Sequence, residues 1–223
     1  MEIKKTNDVT ATYLKVLVHG PAGSGKTRLC STTGKKTIIL SAESGLLSLA
    51  SYKLDYLEIK SMQDMYEAFA IVAKSDYEWV CLDSISEIAE VLLSTEKTKH
   101  KDPRKAYGEL QDQMMQLLRG FRDLPKNIYF SAKQERVKDE ITGGMFFGPS
   151  APGTKVGPAM PYLFDLVFAL HSWKDNEGKV HHGLQTQRDA QYEAKDRSGK
   201  LEFLEPADLG LIYNKIIQPA KGN

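Results

Sequence analysis

The segment GPAGSGKT, at residues 20–27, constrains the fold more than any other feature of the sequence. It fits the pattern G-x-x-x-x-G-K-[ST] in full, and it lies between an apolar run at 13–19, typical of a strand, and a helix-compatible run at 27–31. In this setting the pattern cradles phosphates, because successive backbone N–H groups and the helix N-terminus converge on the anion. A glycine turn that matches by chance is far less common in that context.

The residue types inside the loop indicate a nucleotide with a divalent cation as the ligand. The ammonium group of Lys26 is suited to the outer phosphates, and the hydroxyl of Thr27 is suited to magnesium. The loop therefore predicts ATP and Mg²⁺ as cofactors. The expected nucleotide contacts are Gly20, Pro21, Ala22, Gly23, Ser24, Gly25, Lys26, Thr27 and Arg28.

Apolar runs alternate with stretches of helical periodicity along the chain. This alternation predicts an α/β domain with a mostly parallel, twisted sheet flanked by helices, and the hairpin-like C-terminal third predicts antiparallel additions. We expect one domain over residues 1–223, with an N-terminal extension at 1–12 and a C-terminal helix and tail at 206–223. The expected strands are 13–19, 37–40, 79–82, 127–134, 163–170 and 180–187; the expected helices are 27–31, the later part of 56–74, 85–97, 107–124 and 206–217; the Gly/Pro-rich segment 142–161 has no expected element.

The composition argues against several classes of protein. With 30 basic and 29 acidic residues the formal net charge is +1, so binding to nucleic acid requires a local basic patch rather than a general positive field. No apolar run reaches the ~18 residues that span a bilayer, and Lys15 interrupts the one candidate signal sequence, so we expect a cytoplasmic protein without a membrane partner. Cys30 and Cys81 lie in segments with a buried pattern, which argues against a disulfide framework or a four-ligand zinc site.

Three polar residues that close predicted strands are candidates for chemistry at the phosphates. Asp83 follows four apolar residues and is the candidate magnesium carboxylate; its alternative is to cap the next helix, which Ser84 can also cap. Glu43 follows the neighbouring strand and is the candidate base for an attacking water, or else a surface carboxylate opening a short helix at Ser44. Gln134 ends the strand NIYFSAKQ and can sense the terminal phosphate through its amide, or simply close the strand.

Together these motifs resemble the core of the RecA-type recombinases. Over residues 13–201 the chain is similar to the core-only recombinase-like ATPases that phages encode as single-strand annealing proteins, and YGELQDQMMQLLRGFRDLPKNIYFSAKQ looks like the helix and strand after their first DNA-binding loop. The resemblance implies a magnesium-dependent, DNA-stimulated ATPase that binds single-stranded DNA and promotes strand annealing or homologous recombination. It makes Lys26 and Thr27 nucleotide ligands, Asp83 the magnesium carboxylate, Glu43 the catalytic base and Gln134 the sensor.

The resemblance also implies an assembly. It predicts a homo-oligomer, ring or filament, with the nucleotide at the subunit interface, working in the cytoplasm of a bacterial host and with a single-strand binding protein as a further partner. Within AKDRSGK, at 194–200, Lys195 and Arg197 resemble a Lys-x-Arg signature that reaches the nucleotide of the adjacent subunit; a basic β-turn is the alternative. Twelve residues precede the first predicted strand, so we expect no N-terminal oligomerisation domain of the kind that full-length recombinases have.

Two segments predicted to be mobile carry the residue types that bind single-stranded DNA. Basic side chains neutralise phosphates, and exposed aromatic rings stack on bases. The alternatives are a solvated charged loop for the first segment and a hairpin packed on the core for the two phenylalanines of the second. The candidates are Lys97, Lys99, Lys101, Arg104 and Lys105 in the first segment, and Arg136, Lys138, Phe146, Phe147 and Lys155 in the second.

Two other functions remain open from the sequence. A nucleotide or nucleoside kinase would use a similar phosphate loop with a small-molecule acceptor pocket, although Glu43 and Gln134 at successive strand ends argue against it. A nucleotide-gated module in DNA replication would use ATP only to set the conformation that binds a protein partner.

Overall fold

The computed structural model describes residues 12–43, 45–138 and 143–217. The strands are β1 (Lys15–His19), β2 (Thr37–Ser41), β3 (Asp55–Glu58), β4 (Trp79–Asp83), β5 (Asn127–Lys138), β6 (Met145–Ser150), β7 (Leu166–Lys174), β8 (Val180–Gln185), β9 (Lys195–Asp196) and β10 (Leu204–Pro206). The helices are α1 (Lys26–Leu29), α2 (Met62–Lys74), α3 (Ile85–Lys99), α4 (Pro103–Asp123), α5 (Val156–Leu163) and α6 (Leu209–Ile217), with 3₁₀ turns at Cys30–Thr32 and Leu46–Leu49.

The strands form one sheet in the order β10-β8-β7-β1-β5-β4-β2-β3. The six strands from β7 to β3 in this order pair in parallel. Four antiparallel pairs extend the sheet: β8 on β7, β10 on β8, β9 on β7 and β6 on the second half of β5. The predicted α/β class, with a mostly parallel sheet and antiparallel additions near the C-terminus, is confirmed.

Both faces of β1, β2 and β4 are covered, which explains their nearly continuous apolar sequences. On β1, Leu17 faces a core that α2, α3, α4 and α5 complete, whereas Val16 and Val18 face a second core with residues of α1 and α6. The same alternation places Leu82 of β4 in the first core and Cys81 in the second. The carboxyl ends of β1, β2 and β4 are therefore held on a rigid, two-sided support.

Several predicted boundaries were wrong for identifiable reasons. The Gly/Pro-rich segment 142–161 contains β6 and most of α5, because β6 pairs with the extension of β5 beyond Ala132. The C-terminal helix begins at Leu209 rather than at 206, since the preceding residues pair with β8 as β10. The first charged segment, predicted to be a mobile loop, is divided between α3 and α4, with Asp102 capping α4. The predicted extension at 1–12 lies almost wholly outside the described residues.

No helix in the described parts of the chain is long and apolar enough to cross a membrane.

Candidate active site

The phosphate loop connects β1 to α1 and depends on glycine at three positions. Gly23 and Gly25 have φ angles of 75° and 103°, which place them in the left-handed region that favours glycine. At Gly20 a Cβ atom would lie 2.9 Å from Oγ of Ser24 and 3.1 Å from the carbonyl oxygen of Leu170, so a larger residue would collide with the loop. Oγ of Ser24 is buried inside this loop without a hydrogen-bond partner. The loop therefore keeps this backbone only with glycine at these three positions.

The side chain of Lys26 folds back onto the phosphate loop. Its ammonium group donates hydrogen bonds of 2.8 Å to the carbonyl oxygens of Gly20 and Pro21. Partial burial lowers the pKa of Lys26 from its usual value, and the negative charges of Glu43 and Asp83 act in the opposite direction. The lysine thus stands close to both carboxylates that the sequence analysis singled out.

Thr27 and Asp83 form the oxygen pair expected for magnesium. Oγ1 of Thr27 donates a 2.6 Å hydrogen bond to Oδ2 of Asp83, and Ser131 donates to the other carboxylate oxygen. Asp83 is 2% exposed, and Ser84, whose Oγ accepts from the N–H of Glu87 at 3.3 Å, caps α3 in its place. Among the described residues no cluster of three or more His, Cys, Asp or Glu side chains can hold a metal. A hydroxyl and one carboxylate still suit magnesium, because water and phosphate oxygens commonly complete its coordination shell.

Glu43 follows β2 and lies beside Asp83. Ser41 pairs with Asp83 across β2 and β4, and the N–H of Ala42 donates to the carbonyl oxygen of Asp83 at 2.7 Å. The hydroxyl of Ser84 donates to Oε1 of Glu43 and so fixes the exposed carboxylate at the carboxyl end of the sheet. The nearby 3₁₀ turn is capped by Gly45, which argues against a capping role for Glu43.

Gln134 does not end its strand, because β5 continues to Lys138. Its side chain lies on the same face as Ala132, which pairs with His19, the residue before the phosphate loop. Nδ1 of His19 lies within hydrogen-bond distance, 3.0 Å, of the amide oxygen Oε1 of Gln134. The sequence analysis missed His19, although a histidine that closes an apolar strand before a phosphate loop is a usable signal.

Lys195 and Arg197 lie away from the phosphate loop of their own chain. Lys195 pairs with Val167 near the start of β7, whereas the phosphate loop follows the far end of the neighbouring strand β1. The ammonium group of Lys195 donates to the carbonyl oxygen of Pro161, and Arg197 forms a 3.2 Å ion pair with Asp165. That Lys195 and Arg197 act on the nucleotide of another subunit stays a prediction.

The basic residues of the first predicted DNA segment occupy different environments. The ammonium group of Lys99 forms a 2.8 Å ion pair with Glu96, which is 2% exposed, and that of Lys97 lies 5.7 Å from the ring centre of Tyr107. Lys101, Arg104 and Lys105 are exposed between α3 and the first turn of α4. Tyr107, which the sequence analysis did not single out, therefore joins this cluster.

The second predicted DNA segment is a β-hairpin of β5 and β6 whose aromatic rings are half-buried. Phe147 stacks on Tyr192 with ring centres 5.4 Å apart, and the guanidinium group of Arg188 lies 4.8 Å above the ring of Phe146. These contacts favour packing as the main role of the two phenylalanines. Arg136, Lys138 and Lys155 are exposed.

Comparison with known proteins gives one family and a distant structural likeness. Residues 12–198 match the model of a family described as AAA domain. No curated protein sequence matches the chain. Among solved structures, a KaiC-like protein from the hyperthermophilic archaeon Pyrococcus horikoshii OT3 is 12% identical, with a TM-score of 0.49 over 85% of this chain and 86% of that chain.

Proposed function

This chain belongs to the AAA domain family of P-loop ATPases, and from that premise we propose that it is a magnesium-dependent ATPase that binds single-stranded DNA and promotes strand annealing or recombination. The observation that carries the ATPase half is the convergence of Lys26, Thr27, Asp83 and Glu43 around one glycine loop. The DNA half rests on a basic and aromatic groove beside α4.

In the proposed reaction a water molecule attacks the terminal phosphorus of ATP, the bond to the bridging oxygen of ADP breaks, and a water proton passes to Glu43. Lys26 neutralises charge on the outer phosphates. Magnesium, held by Thr27 and Asp83, would add positive charge at the same oxygens. Ser84 keeps the carboxylate of Glu43 at the carboxyl end of β2, next to Asp83.

A groove of about 530 Å³ between the start of α4 and the segment 152–156 supports DNA as the partner. Arg104 and Lys155 line it together with Tyr107, which is 40% exposed, and among the described residues that line it none is acidic. An exposed ring can stack on a base for about 1–3 kcal/mol, and two cations can neutralise backbone phosphates. The groove therefore offers both kinds of contact that sequence-tolerant binding of single strands requires.

The proposal includes a homo-oligomer with ATP at the subunit interface. Lys195 and Arg197 lie at the opposite end of the sheet from the phosphate loop of their own chain. That placement is compatible with contact to the nucleotide of a neighbouring copy.

The deciding experiment measures phosphate release by the full chain with Mg²⁺ and ATP, alone, with a single-stranded oligothymidylate, and with duplex DNA. Lys26→Ala sets the background, and Lys74→Ala, at the exposed end of α2, removes the same charge elsewhere. We expect the single strand to stimulate turnover more than the duplex, and light scattering to detect an oligomer. Turnover indifferent to DNA would favour the partner-binding module, and phosphate transfer to an added nucleoside would favour a kinase.

A further inference from the structure

His182 belongs to β8, yet its ring reaches the phosphate loop. A Cβ atom at Gly25 would lie 3.5 Å from Nδ1 of His182 and 3.6 Å from its Cε1. This edge of the ring therefore faces the loop at a position that has no side chain. His182 pairs with Ser172 across β7 and β8, and it is half-buried.

The packing of β8 beside α1 explains why the ring lies there. Side chains at alternate positions of a strand share a face, so His182 lies on the same face as Leu184. Leu184 belongs to the second core together with Leu29 of α1, which is four residues after Gly25. His182 thus continues this face of β8 beyond the core and up to the phosphate loop.

The two nitrogens of the His182 ring differ in their surroundings. Nδ1 is buried and has no hydrogen-bond partner. The outer nitrogen, Nε2, also makes no hydrogen bond within residues 12–43, 45–138 and 143–217. Because the protein encloses Nδ1, Nε2 is the ring nitrogen that remains for a ligand.

The ring destabilises the fold in a way that an apolar side chain would avoid. A buried polar atom without a partner loses its hydrogen bonds to water and gains none in return. Such local conflicts between sequence and stability are typical of functional sites. The imidazole of His182 therefore calls for a role outside the packing of β8.

The position of His182 indicates which part of a nucleotide it faces. In the sheet, β4 and β2, which lead to Asp83 and Glu43, lie on one side of β1, whereas β7 and β8 lie on the other. The proposed hydrolysis places the terminal phosphate of ATP next to Glu43. The sugar and base of the same molecule then extend away from Glu43, towards β8.

We propose that His182 recognises the nucleoside half of the bound nucleotide, with Nε2 in a hydrogen bond to the nucleoside rather than to the phosphates. This inference rests on the proposed ATPase function. It adds to the phosphate loop a ligand contact from the opposite side of β1.

The test measures binding to the full chain with Mg²⁺ by calorimetry, using ADP and inorganic pyrophosphate, which has two phosphates and no nucleoside. We expect His182→Ala to weaken ADP binding about 3- to 10-fold, the range for one hydrogen bond, and to leave pyrophosphate binding unchanged. His182→Gln should recover most of the affinity for ADP, because its amide nitrogen reaches the position of Nε2. His182→Asn reaches only the position of Nδ1 and should not recover it.

The matched control is His181→Ala. His181 is the neighbouring residue on the opposite face of β8, where Nε2 lies 2.7 Å from a carboxylate oxygen of Asp175. This variant should bind both ligands as the wild-type protein does.

Several results would overturn the proposal. These are ADP affinity that His182→Ala leaves unchanged, equal losses for ADP and pyrophosphate, which would make the ring a support for the loop, and equal recovery by the Asn and Gln variants. A wild-type protein that binds neither ligand would overturn the proposed function and this inference with it. Wild-type binding that only Lys26→Ala weakens would overturn this inference alone.

A further measurement uses the wild-type protein, in case His182→Ala does not fold. With ¹⁵N-labelled histidine, NMR should show that ADP shifts the Nε2 signal of His182 and that pyrophosphate does not. His182→Gln identifies that signal. A shift caused by neither ligand, or the same shift caused by both, would overturn the proposal.

Discussion

Thr27 and Asp83 are 56 positions apart in the sequence, yet Oγ1 of Thr27 donates a 2.6 Å hydrogen bond to Oδ2 of Asp83. Thr27 lies at the start of α1, which follows β1, and Asp83 is the last residue of β4. In the sheet, β5 lies between β1 and β4. Ser131 of β5 donates to the remaining carboxylate oxygen and so orients it. Three neighbouring elements thus set the position of one carboxylate.

The first prediction concerns magnesium. Asp83→Asn removes the negative charge while keeping the shape, so ATP hydrolysis should need a much higher Mg²⁺ concentration and reach a lower maximum. A titration of phosphate release against Mg²⁺ measures both effects. Ser131→Ala should move the same curve less, because it loosens Asp83 without neutralising it. An unchanged titration for Asp83→Asn would remove Asp83 from the metal site.

The second prediction separates ATP binding from hydrolysis. Glu43→Gln should bind ATP with nearly unchanged affinity and lose about 10²–10⁴-fold in kcat, because the amide cannot take a proton. Binding of a fluorescent ATP analogue and phosphate release provide the two readouts. Glu67→Gln, on the exposed face of α2, is the matched control. Turnover at the wild-type rate would make Glu43 a surface carboxylate only.

The third prediction tests the groove beside α4. The pair Arg104→Gln and Lys155→Gln should weaken binding of oligothymidylate and flatten the log–log salt dependence by about 0.7 per lost phosphate contact. Tyr107→Leu should weaken binding by about 1–3 kcal/mol per stacked base without changing that slope, and Tyr107→Phe should retain affinity. Fluorescence anisotropy across a salt series measures both quantities.

The control for the groove variants is the pair Lys53→Gln and Lys74→Gln, which removes the same charge from exposed positions elsewhere. Equal losses in the control pair and the groove pair would attribute binding to general charge. Lys99→Gln should have little effect, since Lys99 already pairs with buried Glu96.

The fourth prediction concerns contact between subunits. Arg197→Ala should bind ATP normally and hydrolyse it up to ~10³-fold more slowly if the guanidinium group acts on a neighbouring nucleotide. Mixing it with Lys26→Ala should restore part of the activity, because an intact loop can then meet an intact Arg197. Phosphate release by the mixture is the readout. Co-assembled protein that shows no recovery would leave Arg197 as the partner of Asp165 only.

The fifth prediction concerns acid stability. The pKa of His19 lies below its ordinary value of 6.5, so the unfolded chain takes up a proton more readily than the folded one. The contribution of His19 to stability is therefore complete above pH 6.5 and is lost as the pH falls below that value. Urea unfolding between pH 7.5 and 5 should show this loss in wild-type protein and a flatter curve in His19→Asn. Parallel curves would show that His19 titrates alike in both states.

The sequence predicted those parts of the site that depend on local patterns. The phosphate loop, Asp83 at the end of an apolar strand and Glu43 after its neighbour follow from spacing alone, because parallel strands bring their carboxyl ends to one edge of a sheet. The contacts of Ser131, Ser84 and His19 could not be predicted, since they join strands or loops that are distant in sequence.

The errors in the fold have the same origin. The β5–β6 hairpin was missed because its pairing needs the register between Gln134 and Pro149, which no local signal gives. The basic run at 97–105 was predicted to be a loop because of its high charge, although it contains the end of α3 and the start of α4. Asp102, directly before a proline, was a usable signal for the start of α4.

The position of β1 between β5 and β7 also determines when the phosphate loop can form. Lys15 pairs with Ile128 and Val16 with Leu166, so the partners of β1 leave the ribosome more than about a hundred residues after it. Such non-local pairing is slow compared with helix formation. The loop is therefore synthesised before the strands that hold it and is completed only when they pair. A nucleotide that binds only the folded loop thus stabilises the finished domain rather than guiding its assembly.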